Sequence, residues 1–229
     1  MADSPDKKHQ VDHRQRVRDR FIKTGGEDFR DYELLELMLF GVLPRVDTKK
    51  IAKDLIEQFR SLDGVLGAPR EELMKVPKIG LAVAIHIKAI HRILVAVERE
   101  PLATRPVLGS WSAVLGYLKR LLAEETEEQV RVLYLDRRLR LIADEVQGRG
   151  TIDQAAIYPR EVARRALELR AASVILTHNH PTGDPSPSRQ DIAMTKEVIA
   201  ALQPLGVAVH DHVIVGRDGT RSMKALGLI

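Results

Sequence analysis

The stretch His178-Asn179-His180-Pro181-Thr182-Gly183-Asp184-Pro185-Ser186-Pro187-Ser188-Arg189-Gln190-Asp191 concentrates the chemistry of this chain. Two histidines at i and i+2 on extended backbone point to one side, because strand side chains alternate with a period of two. Their imidazoles can converge on one ion at roughly 2.0–2.1 Å. Pro181 keeps the strand from continuing in a ladder, and Gly183 allows a sharp turn. Ser188 is a good N-cap, which puts Asp191 in the first turn of a following helix. The loop can then fold back and carry the Asp191 carboxylate to the two imidazoles. Two histidines and one carboxylate leave a fourth position open, the arrangement of a catalytic zinc. A competing reading needs no metal: Ser188-x-x-Asp191 is close to a capping box, and paired histidines near a loop can be plain exposed polar residues. The position of the pair, between an apolar strand and a turn-rich loop with a returning Asp, favours zinc. The chain has no cysteine. Disulfides, thiolate zinc sites, Cys-ligated iron–sulfur clusters and a Cys nucleophile are excluded, and any metal must be held by His and carboxylate.

The elements that must position this stretch read as a mixed α/β region. Residues 110–122 have helical spacing. Residues 130–135 and 139–143 are β-like runs, with Asp136-Arg137-Arg138 between them as a hairpin turn. Tyr158-Pro159-Arg160-Glu161 opens a helix to about Leu169. Ser173-Val174-Ile175-Leu176-Thr177 is a short apolar strand, 188–202 a helix, and Val207 to Val215 the last strand. His210-Asp211-His212 is a second H-x-H, inside that strand and without a third ligand nearby. Core or edge packing is the reading there, with second-shell hydrogen bonds to the metal as the alternative. His86 and His91, five apart on a helix, do not share a face and are not a metal pair. Arg131, Arg137, Arg138 and Arg140 read as a solvated strand face, with phosphate contact as the alternative.

The part before about residue 100 reads as all-helical. Residues 1–10 form a frayed tail, and His13 to Phe21 is a basic segment with helical character. Asp31 to Phe40 carries apolar residues at helical spacing, Asp47 opens a helix through Ile51, Leu55 and Phe59, and Pro69 opens a short one. A longer helix follows Gly80, with Ala84, Ile87, Ile90, Leu94 and Val97 on its apolar side. Residues 98–106 hold two prolines and many charges and read as the interdomain linker. Leu73-Met74-Lys75-Val76-Pro77-Lys78-Ile79-Gly80-Leu81 resembles a helix-hairpin-helix turn, whose backbone N–H groups and helix N-terminus would face a DNA phosphate. Lys78 stands where such turns have their first glycine, and Gly80 keeps the second. Without more context, a plain helical hairpin and a DNA contact through Lys78 and Gly80 are both open.

Charge does not decide between them. Lys and Arg exceed Asp and Glu by 36 to 32, a net +4. Residues 1–100 carry 19 against 17 and residues 101–229 carry 17 against 15, so neither part is a dedicated cationic arm. Aromatic residues are only 4%, so the core must be aliphatic. The polar start (Met1 to Gln10) and the lack of an apolar run approaching ~18 residues give neither signal peptide nor membrane span, and the expectation is a soluble cytoplasmic protein.

The pattern H-x-H-P-x-G followed by S-x-x-D resembles the zinc motif of the JAMM/MPN metallopeptidases. The chain as a whole is similar to the RadC-like proteins of bacteria. The resemblance implies a helical, helix-hairpin-helix-like domain over 1–100 and a three-layer α/β MPN domain over 107–229. It implies one Zn2+ per chain, held by His178, His180 and Asp191. It also implies a general base, a glutamate just before the first long strand that contacts the zinc-bound water. Glu128 occupies that place, with Glu124, Glu125 and Glu127 as neighbours whose plain reading is a solvated helix end. The motif serine matches Ser188, expected to steady the oxyanion or the water. The implied activity is hydrolysis of a peptide or isopeptide-like amide in an unknown protein or peptide substrate. The alternative is a DNA-associated protein, bound through its helical part and using the MPN domain as a scaffold.

Overall fold

A computed structural model describes residues 5–44, 46–150 and 157–229. The chain forms two compact units, Met1–Arg92 and Ile93–Ile229. The first is helical: α1 (Pro5–Thr24), α2 (Asp31–Leu39), α3 (Thr48–Phe59), α4 (Leu62–Gly67), α5 (Arg70–Leu73) and the start of α6 (Leu81–Thr104). Short polar residues begin α3 and α4 by taking up free N–H groups. Asp47 Oδ1 accepts from the Lys49 N–H at 3.1 Å and Ser61 Oγ from the Gly64 N–H at 2.9 Å. Leu35, Leu39, Ile51, Leu55, Val65, Leu73 and Ile87 form buried apolar positions of this unit.

Three features of the chain up to residue 106 differ from the sequence expectation. The tail expected over residues 1–10 lies outside the described residues as far as residue 4, and from Pro5 the backbone is already α1. The buried stripe of α6 runs through Ala84, Ile87, His91 and Val95, while Val97 is 58% exposed. A spacing of 84, 87, 90, 94, 97 averages near 3.25 residues and drifts off a face that repeats every 3.6. The expected linker over 98–106 is helical to Thr104, with Pro101 inside α6. Leu102, the next residue, is fully buried in a core cluster, and that packing outweighs the poor helix propensity of proline.

The second unit is a mixed five-stranded sheet between two layers of helix. After α6 come α7 (Trp111–Leu122), β1 (Glu128–Leu135), β2 (Leu141–Gly150), α8 (Pro159–Glu168), β3 (Ser173–Asn179), α9 (Arg189–Leu202), β4 (Ala208–Gly216) and β5 (Gly219–Ser222). The strand order is β2-β1-β3-β4-β5. All neighbouring pairs are antiparallel except β3 and β4, which α9 connects as a crossover. Period-two alternation sorts the core. Leu133, Leu135, Ile175, Val213 and Val215 pack with α7 on one face. Val132, Tyr134, Val174, Leu176, Val162, Ala166 and Val198 pack on the other, where α8 and α9 lie. The expected last strand is thus followed by one more. β5 has only four residues, Gly219-Thr220-Arg221-Ser222, without an apolar alternation to announce it. Arg131 is not on a solvated face: its Nε donates to Asp144 Oδ1 at 2.8 Å, and the pair is largely buried. No helix among the described residues is long and apolar enough to cross a membrane.

Candidate metal centre

The site lies at the end of the sheet where β3 finishes and α9 begins. His178 is flanked by Val130 of β1 and Ile214 of β4, and it is fully buried. His180 follows β3 and donates its backbone N–H to Val215 O at 2.8 Å. The chain then turns sharply: Gly183 N–H donates to His180 O at 3.0 Å, and Gly183 has φ +102°, a region that favours glycine. Ser188 caps α9. Its Oγ accepts from Asp191 N–H at 3.1 Å, and Asp191 Oδ2 accepts from Ser188 N–H at 2.7 Å. The capping box and the metal reading are therefore not rivals. The box orients the carboxylate, whose Oδ1 faces His178 while the capping Oδ2 also faces His180.

Three candidate ligands converge. His178 Nε2 lies 2.9 Å from His180 Nε2 and 3.2 Å from Asp191 Oδ1, and His180 Nε2 lies 3.5 Å from Asp191 Oδ2. A tetrahedral zinc with bonds of about 2.0–2.1 Å has ligand atoms about 3.4 Å apart. The three separations surround that value.

Hydrogen-bond bookkeeping fixes which nitrogens are free. Thr195 Oγ1 lies 2.5 Å from Asp191 O and 2.6 Å from His212 Nδ1. A carbonyl can only accept, so the hydroxyl donates to it and accepts from His212 Nδ1–H. Complete burial holds the His212 pKa well below the ordinary imidazole value, and the neighbouring His178 adds to this, so His212 is neutral. His212 Nε2 must then accept from His178 Nδ1–H, at 2.7 Å. His178 Nε2 is left as a bare lone pair. His180 Nδ1 lies 2.8 Å from the carbonyl oxygen of Asp184 and donates to it, which turns its Nε2 to the same point. Two imidazole nitrogens and a carboxylate now face one another and need a proton or a cation between them. The His180 pKa is raised, chiefly by its bond to Asp191. Burial alone would push Asp191 up, but its bonds to His178 and His180 outweigh this and hold it well below the carboxylate range. The donor set of two imidazoles and one carboxylate suits zinc, and His178, His180 and Asp191 are close enough together to share one ion.

Residues 108–228 match the family model described as the RadC-like JAB domain. The chain belongs to the RadC-like JAB-domain family. The match spans the whole sheet of this RadC-like domain, its three candidate ligands, Glu128 and Ser188, and ends short of the helical part.

Glu128 is the first residue of β1 in the RadC-like domain. Val130 is opposite His178 in the last β1–β3 pair, and period-two alternation puts Glu128 on the face of Val130 and His178. Its charge helps to raise the His180 pKa. Glu125 and Glu127 are exposed, as the solvated reading had it, whereas Glu124 is half-buried like Glu128. Ser188 spends a lone pair on the Asp191 N–H and keeps its O–H as a donor.

Sequence reasoning missed Thr195, Asn179 and Gly216, and it gave His212 only a secondary part. Period two puts His210 and His212 on one face. Between Val174 opposite Val209 and Ile175 opposite Asp211 the register slips, so His210 is a bulge residue and only His212 joins the face of His178. Asp211 steadies the bulge by accepting from the Ser222 hydroxyl and the Lys224 N–H. Gly216 lets the loop return: a Cβ there would sit 2.0 Å from Gly183 O. A glycine in a strand pattern is the one signal that could have been read.

In the helical unit, Lys78 has φ +71° and is exposed, while Gly80 precedes α6 with an ordinary φ. The left-handed residue is the one that stands in the place of the first glycine, which explains why that turn favours glycine there. Part of the basic segment is used internally. Arg14 donates to Leu43 O at 2.5 Å and Val46 O at 2.8 Å, and His13 bonds Glu36 at 2.8 Å.

Proposed function

We propose that the protein is a zinc-dependent hydrolase of the JAMM/MPN type, acting on a peptide or isopeptide-like amide. The observation that carries this reading is the convergence of His178 Nε2, His180 Nε2 and Asp191 at tetrahedral-edge spacing, with both imidazoles turned by fixed partners on their other nitrogens. A zinc ion held there would polarise a carbonyl and acidify water at neutral pH. The protein supplies the rest. His212 and Asp184 keep the imidazoles in the tautomers that present lone pairs. The carboxylate of Glu128, on the face of β1 that His178 shares, takes the proton of the attacking water and returns it to the leaving nitrogen. The Ser188 hydroxyl donates to the oxygen that gains negative charge. Glu128→Gln should keep zinc and lower hydrolysis by ~10²–10⁴-fold, the usual contribution of a general base. A panel of peptide and isopeptide substrates cleaved equally well by wild type and variant would remove Glu128 from this role.

A second reading, DNA association through the helical part, is supported by the exposed left-handed Lys78 at the entrance to α6. Its ammonium and the free N–H groups of the first helical turn would meet one phosphate. Lys78→Ala in the full chain should weaken binding to duplex or branched DNA and reduce the salt slope by about one unit. A chain that shifts no DNA at low salt ends this reading.

A further inference from the structure

β1 and β3 pair backbone to backbone only as far as Val130 opposite His178. Beyond this point β3 stays with β4, through His180 N–H to Val215 O, and turns away into the Pro181 loop. On its β3 side the segment 125–129 has no strand partner, while Glu128 and Gln129 stay paired with Gly150 and Arg149 of β2 on the other side. The side chain of Asn179 takes the place of a partner on the β3 side. Its Oδ1 accepts the Gln129 N–H at 2.9 Å, and its Nδ2 donates to Glu127 O at 3.0 Å and Glu125 O at 3.2 Å. The direction is unambiguous, since an N–H only donates and carbonyls only accept. Both ends of the amide are spent on one five-residue stretch, on either side of Glu128. Asn179 is 1% exposed, so water does not stand in for these partners. Its two chain neighbours are His178 and His180.

We infer that Asn179 is a positioning residue that fixes the Glu128 carboxylate relative to the metal centre. One side chain ties the strand bearing two ligand imidazoles to the segment bearing the carboxylate, across about fifty residues of sequence. The ligands themselves are held by other groups: His178 by His212, His180 by Asp184 and Asp191 by Ser188. Loss of Asn179 therefore displaces Glu128 and leaves the ligand set in place. The inference rests on the hydrolase reading above.

The test uses the full chain loaded with Co2+ as a spectroscopic probe. Cobalt affinity and the pH midpoint of its visible absorption are measured for wild type, Glu128→Gln, Asn179→Ala and the double variant. Removing a carboxylate beside the ion should lower the midpoint by about one pH unit. Asn179→Ala should lower it by at least half as much, with cobalt affinity within about threefold of wild type, and the double variant should shift no further than Glu128→Gln alone. A wild-type midpoint in Asn179→Ala, or a double shift equal to the sum of the single ones, overturns the inference and leaves the hydrolase reading standing. An unmoved midpoint in Glu128→Gln overturns both. Asn179→Ser serves as a second substitution should the alanine variant fail to fold. A chain that folds with neither marks Asn179 as a fold element and overturns the inference.

Discussion

Gly216→Ala places one methyl group where the loop and β4 meet. The added Cβ would lie 2.0 Å from Gly183 O, 2.7 Å from Gly183 C and 3.1 Å from Pro185 N. These are backbone atoms, and Cβ atoms essentially never approach within 3.0 Å, so the loop must withdraw by about 1 Å. Asp184 lies between those two contacts, and its carbonyl oxygen receives the His180 Nδ1–H at 2.8 Å. A withdrawal of that size carries the bond beyond about 3.6 Å, where it no longer holds the ring. Forced overpacking costs about 1–3 kcal/mol and the lost bond about 0.5–1.5 kcal/mol more. Releasing a ligand histidine from its orienting partner should weaken zinc binding about 10–100-fold. Chelator competition gives the affinity and denaturant unfolding gives the stability. Gly116→Ala is the control: Gly116 is exposed within α7 with nothing within 4 Å of its Cβ, and alanine there should stabilise by about 0.5–1 kcal/mol. Wild-type zinc affinity in Gly216→Ala would refute the claim that loop return fixes His180.

Three further outcomes follow from the same geometry. Thr195→Val leaves His212 Nδ1–H without its acceptor in a buried place, so stability should fall by about 1–3 kcal/mol and zinc affinity about 10–100-fold, with Thr195→Ser restoring both; valine with wild-type affinity would break the tautomer argument. Lys78→Gly relieves a left-handed lysine and should raise stability by about 1 kcal/mol while weakening any DNA binding, so that a urea midpoint and a gel shift move in opposite senses. Arg131→Met leaves the buried Asp144 side chain without its counter-ion, with the Tyr117 hydroxyl still donating to it, and should destabilise by about 3–5 kcal/mol, where a solvated arginine would give almost no change in the unfolding midpoint.

The convergence of His178, His180 and Asp191 was legible because its information is local. His178 and His180 share a face by strand period alone, and Asp191 returns because Ser188 caps the next helix. The outer partners were not legible, because they depend on register. His212 reaches His178 only through the bulge at His210, and nothing in the alternation of β4 announces a bulge. Asn179 sits between two conspicuous histidines, yet its task is set by where β3 departs from β1. The helices of the first unit were readable from caps and spacing, but a helix as long as α6 exposes any error in the assumed period, as Val97 shows. Pro101 was read as a break because local propensity was weighed without the buried Leu102 beside it. Glu128 needed the family resemblance, since its neighbours are also glutamates and sequence offers no way to tell the half-buried Glu124 and Glu128 from the exposed Glu125 and Glu127.

The central claim is that His178, His180 and Asp191 hold one zinc ion. Metal content of the purified full-length protein, measured by mass spectrometry after dialysis against trace zinc, tests it most directly. The account predicts one zinc per chain in the wild type and almost none in the His178→Ala/His180→Ala double variant, with circular dichroism showing the helical part still folded. Equal zinc occupancy in the two proteins would contradict it.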